Sequence, residues 1–82
     1  MKVKLGELAE IRDNEDFAED MDIEIFEWAV SDGAAVEKGD KMVSVMVGKT
    51  SIDVVAPASG TIRILLEEGE ITDPGAVIAE IA

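Results

Sequence analysis

The 82-residue sequence predicts an all-β domain, built as a flattened barrel or sandwich of two small antiparallel sheets. From residue 23 onward the chain consists of short runs rich in Val, Ile and Met, separated by Gly, Pro and Asp, which is typical of strands. No window in this part keeps the i, i+3, i+4 apolar spacing of a helix for long enough to compete. A repeat of the strand pattern along the chain indicates two similar halves.

The expected strands follow one another at short intervals. A first short strand is expected around residues 3–5, at the start of the chain. The later runs that we expect to form strands cover residues 23–30, 41–47, 50–55, 61–66 and 76–81. A chain of this length builds one hydrophobic core, so residues 1–82 are expected to form a single domain.

The two halves of the chain repeat at an interval of 36 residues. Residues 25–30 align with residues 61–66, and Gly33 aligns with Gly69. Each half alone would leave one apolar face exposed, whereas two halves that face each other bury both faces. The repeat therefore predicts a pseudo-twofold domain with Trp28 in its core, in which the chain termini are the counterpart of the connection between the halves.

The segment between the two halves predicts a hairpin with a two-residue turn, Gly48-Lys49. This turn pairs Val47 with Thr50 and, at the far end, Val43 with Val54. A slip by one residue would pair apolar with polar side chains, so the register is well determined. Glycine at the first central position favours a type II′ turn, with the lysine exposed at the tip. The expected buried face holds Val43, Val45, Val47, Ile52 and Val54.

Residues 7–22, called the acidic segment below, hold eight carboxylates against Arg12 alone and contribute −7 of the net charge of −12. Their apolar residues are too sparse for a sustained helix, although Leu8 and Ile11 can share one face of a single turn. We expect the acidic segment to be a solvated surface loop inserted into the domain.

The composition excludes several classes of protein. Without Cys or His, the chain has no thiolate nucleophile, imidazole base or Cys/His metal site, so neither a self-sufficient enzyme nor a metal centre is expected. The net charge of −12 repels nucleic acid and anionic membranes and favours a protein partner with a basic surface. No apolar run approaches the roughly 20 residues of a membrane span, and no signal peptide is visible, which predicts an intracellular, soluble domain.

Lys49 has three candidate roles. A lysine in a turn is commonly no more than a solubilising charge. The sequence Gly48-Lys49-Thr50 suggests a phosphate-binding loop, but Val43 stands where that motif needs glycine, and a strand follows where it needs a helix. A protruding turn also offers its amine to a modifying enzyme without unfolding of the domain. The hairpin alone leaves the first and third roles open.

Several motifs, in order, match the pattern of a known family. Residues 28–40 read W-A-V-S-D-G-A-A-V-E-K-G-D, a strand, Lys49 and a second strand follow, and residues 56–60 form an A-P-A-S-G corner. With Gly69 and Gly75, this order resembles the lipoyl domain, in the biotinyl/lipoyl attachment family, of 2-oxo acid dehydrogenase complexes. The resemblance runs from about residue 23 to the end of the chain and implies the hammerhead-like lipoyl/biotinyl barrel.

The resemblance implies that Lys49 carries lipoic acid in amide linkage, with Gly48 and Thr50 beside it in the turn. The domain is then a swinging-arm carrier of acyl groups and electrons, with no catalytic site of its own, in or beside a dihydrolipoamide acyltransferase. The implied partners are a lipoate ligase or lipoyl transferase, a thiamine-diphosphate-dependent 2-oxo acid decarboxylase, the acyltransferase core and dihydrolipoamide dehydrogenase. The implied location is the cytoplasm, or the mitochondrial matrix of a eukaryote.

The sequence departs from this pattern near the lysine and in the acidic segment. Gly48 stands where the family usually has Asp, and the acidic segment lengthens the connection that leads to the Trp28 strand. In the resembled family this connection lies near the lipoyl turn, so the acidic segment is expected either to recognise the decarboxylase or to act only as a solubilising loop. The candidate recognition residues are Glu15, Asp16, Glu19 and Asp20.

Two further interpretations stay open. One is a biotinyl carrier domain, although the biotin carriers of the family have Met on both sides of their lysine, where this chain has Gly48 and Thr50. The other is an unmodified, lipoyl-like module that binds another protein, which Gly48 favours.

Overall fold

The computed structural model describes residues 1–82 and confirms the predicted all-β sandwich of two antiparallel sheets. One sheet has the strand order β1-β8-β6-β3 and the other β5-β4-β2-β7. The strands are β1 (Lys2–Lys4), β2 (Ile23–Trp28), β3 (Ala35–Val36), β4 (Lys41–Val47), β5 (Thr50–Val55), β6 (Gly60–Ile64), β7 (Ile71–Thr72) and β8 (Val77–Ile81). The helices are a 3-10 turn (Leu5–Glu7) and the one-turn α1 (Ala9–Arg12), and neither is long enough to cross a membrane.

The predicted repeat is present in the strand order. The two sheets correspond strand by strand: β1 to β5, β8 to β4, β6 to β2 and β3 to β7. Gly33 and Gly69, 36 residues apart, have matching φ angles of 86° and 89°. β1 lies beside β8 as β5 lies beside β4, and the main chains of Met1 and Ile81 bond each other. The chain termini are therefore the counterpart of the hairpin turn, as the sequence predicts.

The hairpin of β4 and β5 has the predicted register. Val47 pairs with Thr50, and the pairing continues without a shift to Val43 and Val54. Its five predicted apolar residues are all buried within one core cluster of 18 apolar side chains. Ser44, on the opposite face, is also buried, and its hydroxyl donates a 2.8 Å hydrogen bond to Asp53 Oδ1 across the hairpin, which offsets the cost of burying a polar group.

The acidic segment is only partly the solvated loop that its composition predicts. Leu8, the N-cap residue of α1, and Ile11, within α1, are both buried in the core cluster, as expected for side chains on one face of a single helical turn. Within α1, the Glu10 carboxylate accepts a 3.2 Å hydrogen bond from the Val55 N–H at the end of β5. The remaining carboxylates of the acidic segment are exposed. These two apolar side chains and the Glu10 hydrogen bond hold its first turn on the sheet.

The expectation that Trp28 lies in the core is wrong: its side chain is half-buried and packs against the edge of the core cluster. The indole Nε1–H donates a 2.9 Å hydrogen bond to the Leu66 carbonyl, which an indole in the centre of an apolar core would lack. The expected strand 23–30 also ends early, at Trp28, and the strand register shifts between Ile25 and Glu27. A bulge at Phe26, invisible in the apolar pattern, causes this shift.

The burial of Ile11 gives a direct test of how the acidic segment is held. Ile11→Ala is expected to lower the free energy of unfolding by about 2–5 kcal/mol, because a fully buried side chain leaves a cavity. Urea denaturation followed by Trp28 fluorescence measures the change. The control is Leu65→Ala, at an apolar side chain that is 40% exposed, with an expected loss of less than about 1 kcal/mol. Equally small losses in both variants would contradict the packing of α1 on the sheet.

Candidate functional site

The Gly48-Lys49 turn presents its lysine at the tip of the hairpin. Gly48 has a φ of 62°, whereas Lys49, like every other residue that is not glycine, has a negative φ. A positive φ followed by a negative φ is what the predicted type II′ turn requires. Lys49 is exposed. The three salt bridges of the molecule use Lys4, Arg12 and Lys41, so the Lys49 ammonium is not held by a carboxylate. Its amine is free to extend into a partner's pocket.

A carboxylate of the acidic segment lies against this turn. The Thr50 hydroxyl donates a 2.9 Å hydrogen bond to Asp16 Oδ2, which joins residues 34 positions apart. On the other side of Lys49, a Cβ placed on Gly48 would lie 3.2 Å from the Asp16 Cβ, which is closer than ordinary van der Waals contact. Asp16 thus bonds Thr50 and faces the place that a side chain at position 48 would occupy, so such a side chain would press against it.

The other candidate recognition residues do not join Asp16 at the turn. Glu15 and Asp20 are exposed and make no hydrogen bond or ion pair. Glu19 forms an ion pair with Arg12 at 3.9 Å, and both side chains of this pair are exposed to solvent. Such exposed pairs contribute little to stability. The acidic segment therefore offers one carboxylate fixed at the turn and several that lie free in solvent.

A concave region lies beside Trp28, away from the lysine turn, and the sequence did not single it out as a site. Trp28, Ile64 and three carboxylates line an open cavity of about 400 Å³. Two of these carboxylates already accept main-chain hydrogen bonds: Asp32 from the Ile64 N–H at 2.8 Å and Glu68 from the Trp28 N–H at 2.9 Å. These carboxylates bond the last N–H groups of β6 and β2 and so have a structural role. No group of His, Cys, Asp and Glu side chains in the molecule is arranged to hold a metal ion.

Comparison with known proteins agrees with this fold. A family model described as "Biotin-requiring enzyme", for biotin/lipoyl attachment domains, matches residues 15–81. The dihydrolipoyllysine-residue acetyltransferase component of the Staphylococcus aureus pyruvate dehydrogenase complex is 34% identical over 59 residues. That match covers 71% of this chain and 14% of the acetyltransferase. The chain therefore belongs to the biotin/lipoyl attachment family.

Within this family, the fold is that of a lipoyl domain. The solution structure of the lipoyl domain of the 2-oxoglutarate dehydrogenase complex from Azotobacter vinelandii superposes with a TM-score of 0.69 and 25% identity. The superposition covers 84% of this chain and 90% of that domain. A biotin-dependent relative is also similar: the acetyl-CoA carboxylase of Dictyostelium discoideum is 35% identical over 54 residues, which are 66% of this chain and 2% of the carboxylase.

Proposed function

We propose that this chain is a lipoyl carrier domain, and that Lys49 is the residue to which lipoic acid is attached through an amide bond. The observation that carries the proposal is the exposed, unpaired lysine at the tip of a hairpin in a lipoyl-domain fold. The two neighbours of the lysine leave its side chain uncovered, because Gly48 has no side chain and Thr50 bonds its hydroxyl to Asp16. The turn therefore leaves room for a covalently attached arm on Lys49.

Attachment requires the amine to reach an activated carboxyl group in another enzyme. The Lys49 Nζ forms the amide bond to the carboxyl carbon of a lipoyl adenylate, the bond from that carbon to the phosphate oxygen of AMP breaks, and the ammonium releases two protons. An exposed two-residue turn delivers Nζ into a deep pocket without strain in the sheet. The same chemistry serves biotin, and the match to a carboxylase supports that second candidate. The lipoyl-domain superposition over most of the chain favours lipoate.

In this proposal the protein body positions and presents the arm. When attached, the lipoyl group supplies a dithiolane that takes up an acyl group and two electrons and passes them on. The two sheets hold the turn at a fixed place, and tethering raises the effective concentration of the arm at each partner site. The proposed partners are a lipoate ligase or lipoyl transferase, a thiamine-diphosphate-dependent 2-oxo acid decarboxylase, an acyltransferase core and dihydrolipoamide dehydrogenase.

Substitution of the lysine tests the attachment site. Lys49→Arg keeps the charge and the exposed turn, but a guanidinium does not form the amide, so incorporation of lipoate is expected to fall below detection. The measurement is intact mass after incubation with a purified lipoate ligase, lipoic acid and ATP. Lys38→Arg, at another exposed lysine, is the control and should be modified like the unaltered chain. Lipoate on Lys38 or Lys41 in the Lys49→Arg variant would contradict the proposal.

We further propose that the acidic segment helps to select the decarboxylase. It lies beside the lysine turn through the contacts of Asp16, and α1 keeps its first turn on the sheet. The exposed carboxylates therefore lie near the surface that a partner meets first. A cluster of one charge sign raises the association rate with a basic surface and changes the strength of the final contact less.

The free carboxylates test this steering role. Neutralising Glu15, Glu19 and Asp20 together is expected to lower the rate of reductive acylation by a 2-oxo acid decarboxylase roughly three- to tenfold at low ionic strength. The difference should shrink near 1 M salt, where the Debye length is about 3 Å. Stopped-flow mixing measures the rate.

The control removes the same charge elsewhere, through Glu37→Gln, Glu67→Gln and Glu80→Gln. It should keep most of the rate, because these residues lie outside the acidic segment. Equal rates of reductive acylation for the two triple variants at low salt would contradict the steering role and indicate that the acidic segment is only a solubilising loop.

A further inference from the structure

We propose that the modification site has two parts, Lys49 from the hairpin and Asp16 from the acidic segment, and that Asp16 determines how well the attaching enzyme recognises the lysine. This inference rests on the proposed function, since it concerns the enzyme that modifies Lys49. It assigns to Asp16 a role separate from that of the free carboxylates, because Asp16 is bonded to the turn.

The position of Asp16 is fixed from three directions. Its Oδ2 accepts the hydrogen bond of the Thr50 hydroxyl, and its main-chain N–H donates a 2.8 Å hydrogen bond to Asn14 Oδ1. Its Cβ faces Gly48, 3.2 Å from where a Cβ on that residue would lie. A carboxylate held in this way loses little conformational freedom when another molecule binds it. It is therefore better prepared for recognition than the mobile side chains of a solvated loop.

The acidic segment is tied to both ends of β5. Asp16 bonds Thr50, the first residue of this strand, and Glu10 bonds the N–H of Val55, the last residue. Ile11, which lies in the sequence between Glu10 and Asp16, is fully buried in the core. The segment thus follows the edge of the sheet and brings its carboxylate to the turn as a fixed part of the structure.

The turn itself offers an enzyme few other features to recognise. Gly48 has no side chain, the Thr50 hydroxyl is already bonded, and Lys49 is the reacting group. The remaining oxygen of the exposed Asp16 carboxylate makes no hydrogen bond or ion pair within the molecule. It can accept a charge-assisted hydrogen bond from a lysine or arginine of the enzyme, which is about twice as strong as a neutral hydrogen bond.

The test is the steady-state kinetics of lipoate attachment to the complete, unmodified chain. A purified lipoate ligase, lipoic acid and ATP are the reagents, and intact mass gives the modified fraction. Asp16→Asn is expected to raise KM for the domain roughly tenfold, and kcat should stay within about twofold, because the carboxylate contributes to docking and not to amide formation. Thr50→Val should raise KM by a smaller factor, because the carboxylate remains but loses the hydrogen bond from the Thr50 hydroxyl.

Asp22→Asn is the matched control, since it removes the same charge from an exposed, unbonded side chain of the acidic segment. It should keep the KM of the unaltered chain. Rising ionic strength should lower kcat/KM of the unaltered chain more than that of Asp16→Asn, a difference that a purely structural role would not produce. Asp16→Glu keeps the carboxylate and should retain more of the affinity than Asp16→Asn.

The possible outcomes separate the two proposals. If the unaltered chain takes up no lipoate at Lys49, the proposed function fails. If Lys49 is lipoylated and Asp16→Asn has an unchanged KM, the two-part site is wrong and the lipoyl function stands. An equal rise of KM in Asp16→Asn and Asp22→Asn would also overturn the two-part site, because net charge alone would then explain the effect.

Discussion

The burial of one face of the β4–β5 hairpin is the constraint on which the other features of the molecule depend. Val43, Val45 and Val47 are fully buried, and each is expected to contribute about 1.5–3 kcal/mol relative to an exposed position. On the partner strand β5, a slip of one residue would move Ile52 and Val54 out of the core and turn the exposed Ser51 and Asp53 into it, so the core fixes the register. The register in turn fixes which two residues form the turn, and hence that Lys49 stands at the tip.

Much of the fold could be predicted because it follows from side-chain alternation. The hairpin register, the 36-residue repeat and the place of the termini all depend on which face of a strand is apolar. β3 and β7 were not predicted, because two residues are too few to show any alternation. The repeat predicts Trp28 inside the core, whereas the hydrogen bond from its indole N–H to the Leu66 carbonyl keeps it at the edge of the core cluster.

The candidate site divides in the same way between local and distant interactions. Lys49 and its turn could be predicted, because a hairpin is determined by residues close together in sequence. The contact of Asp16 with Thr50 could not, because it joins residues 34 positions apart and depends on the burial of Leu8 and Ile11. The four carboxylates that look alike in sequence differ in the structure: Asp16 is bonded to the turn, Glu19 pairs with Arg12, and the other two are free.

The central claim is that this turn carries a lipoyl group on one lysine. The most direct measurement is the intact mass of the unaltered protein, produced in cells supplied with both lipoic acid and biotin and containing both attaching enzymes. The account predicts the added mass of a single lipoyl amide, located by peptide mapping on the peptide that contains Lys49. The mass of a biotinyl group, or of the unmodified chain alone, would contradict it.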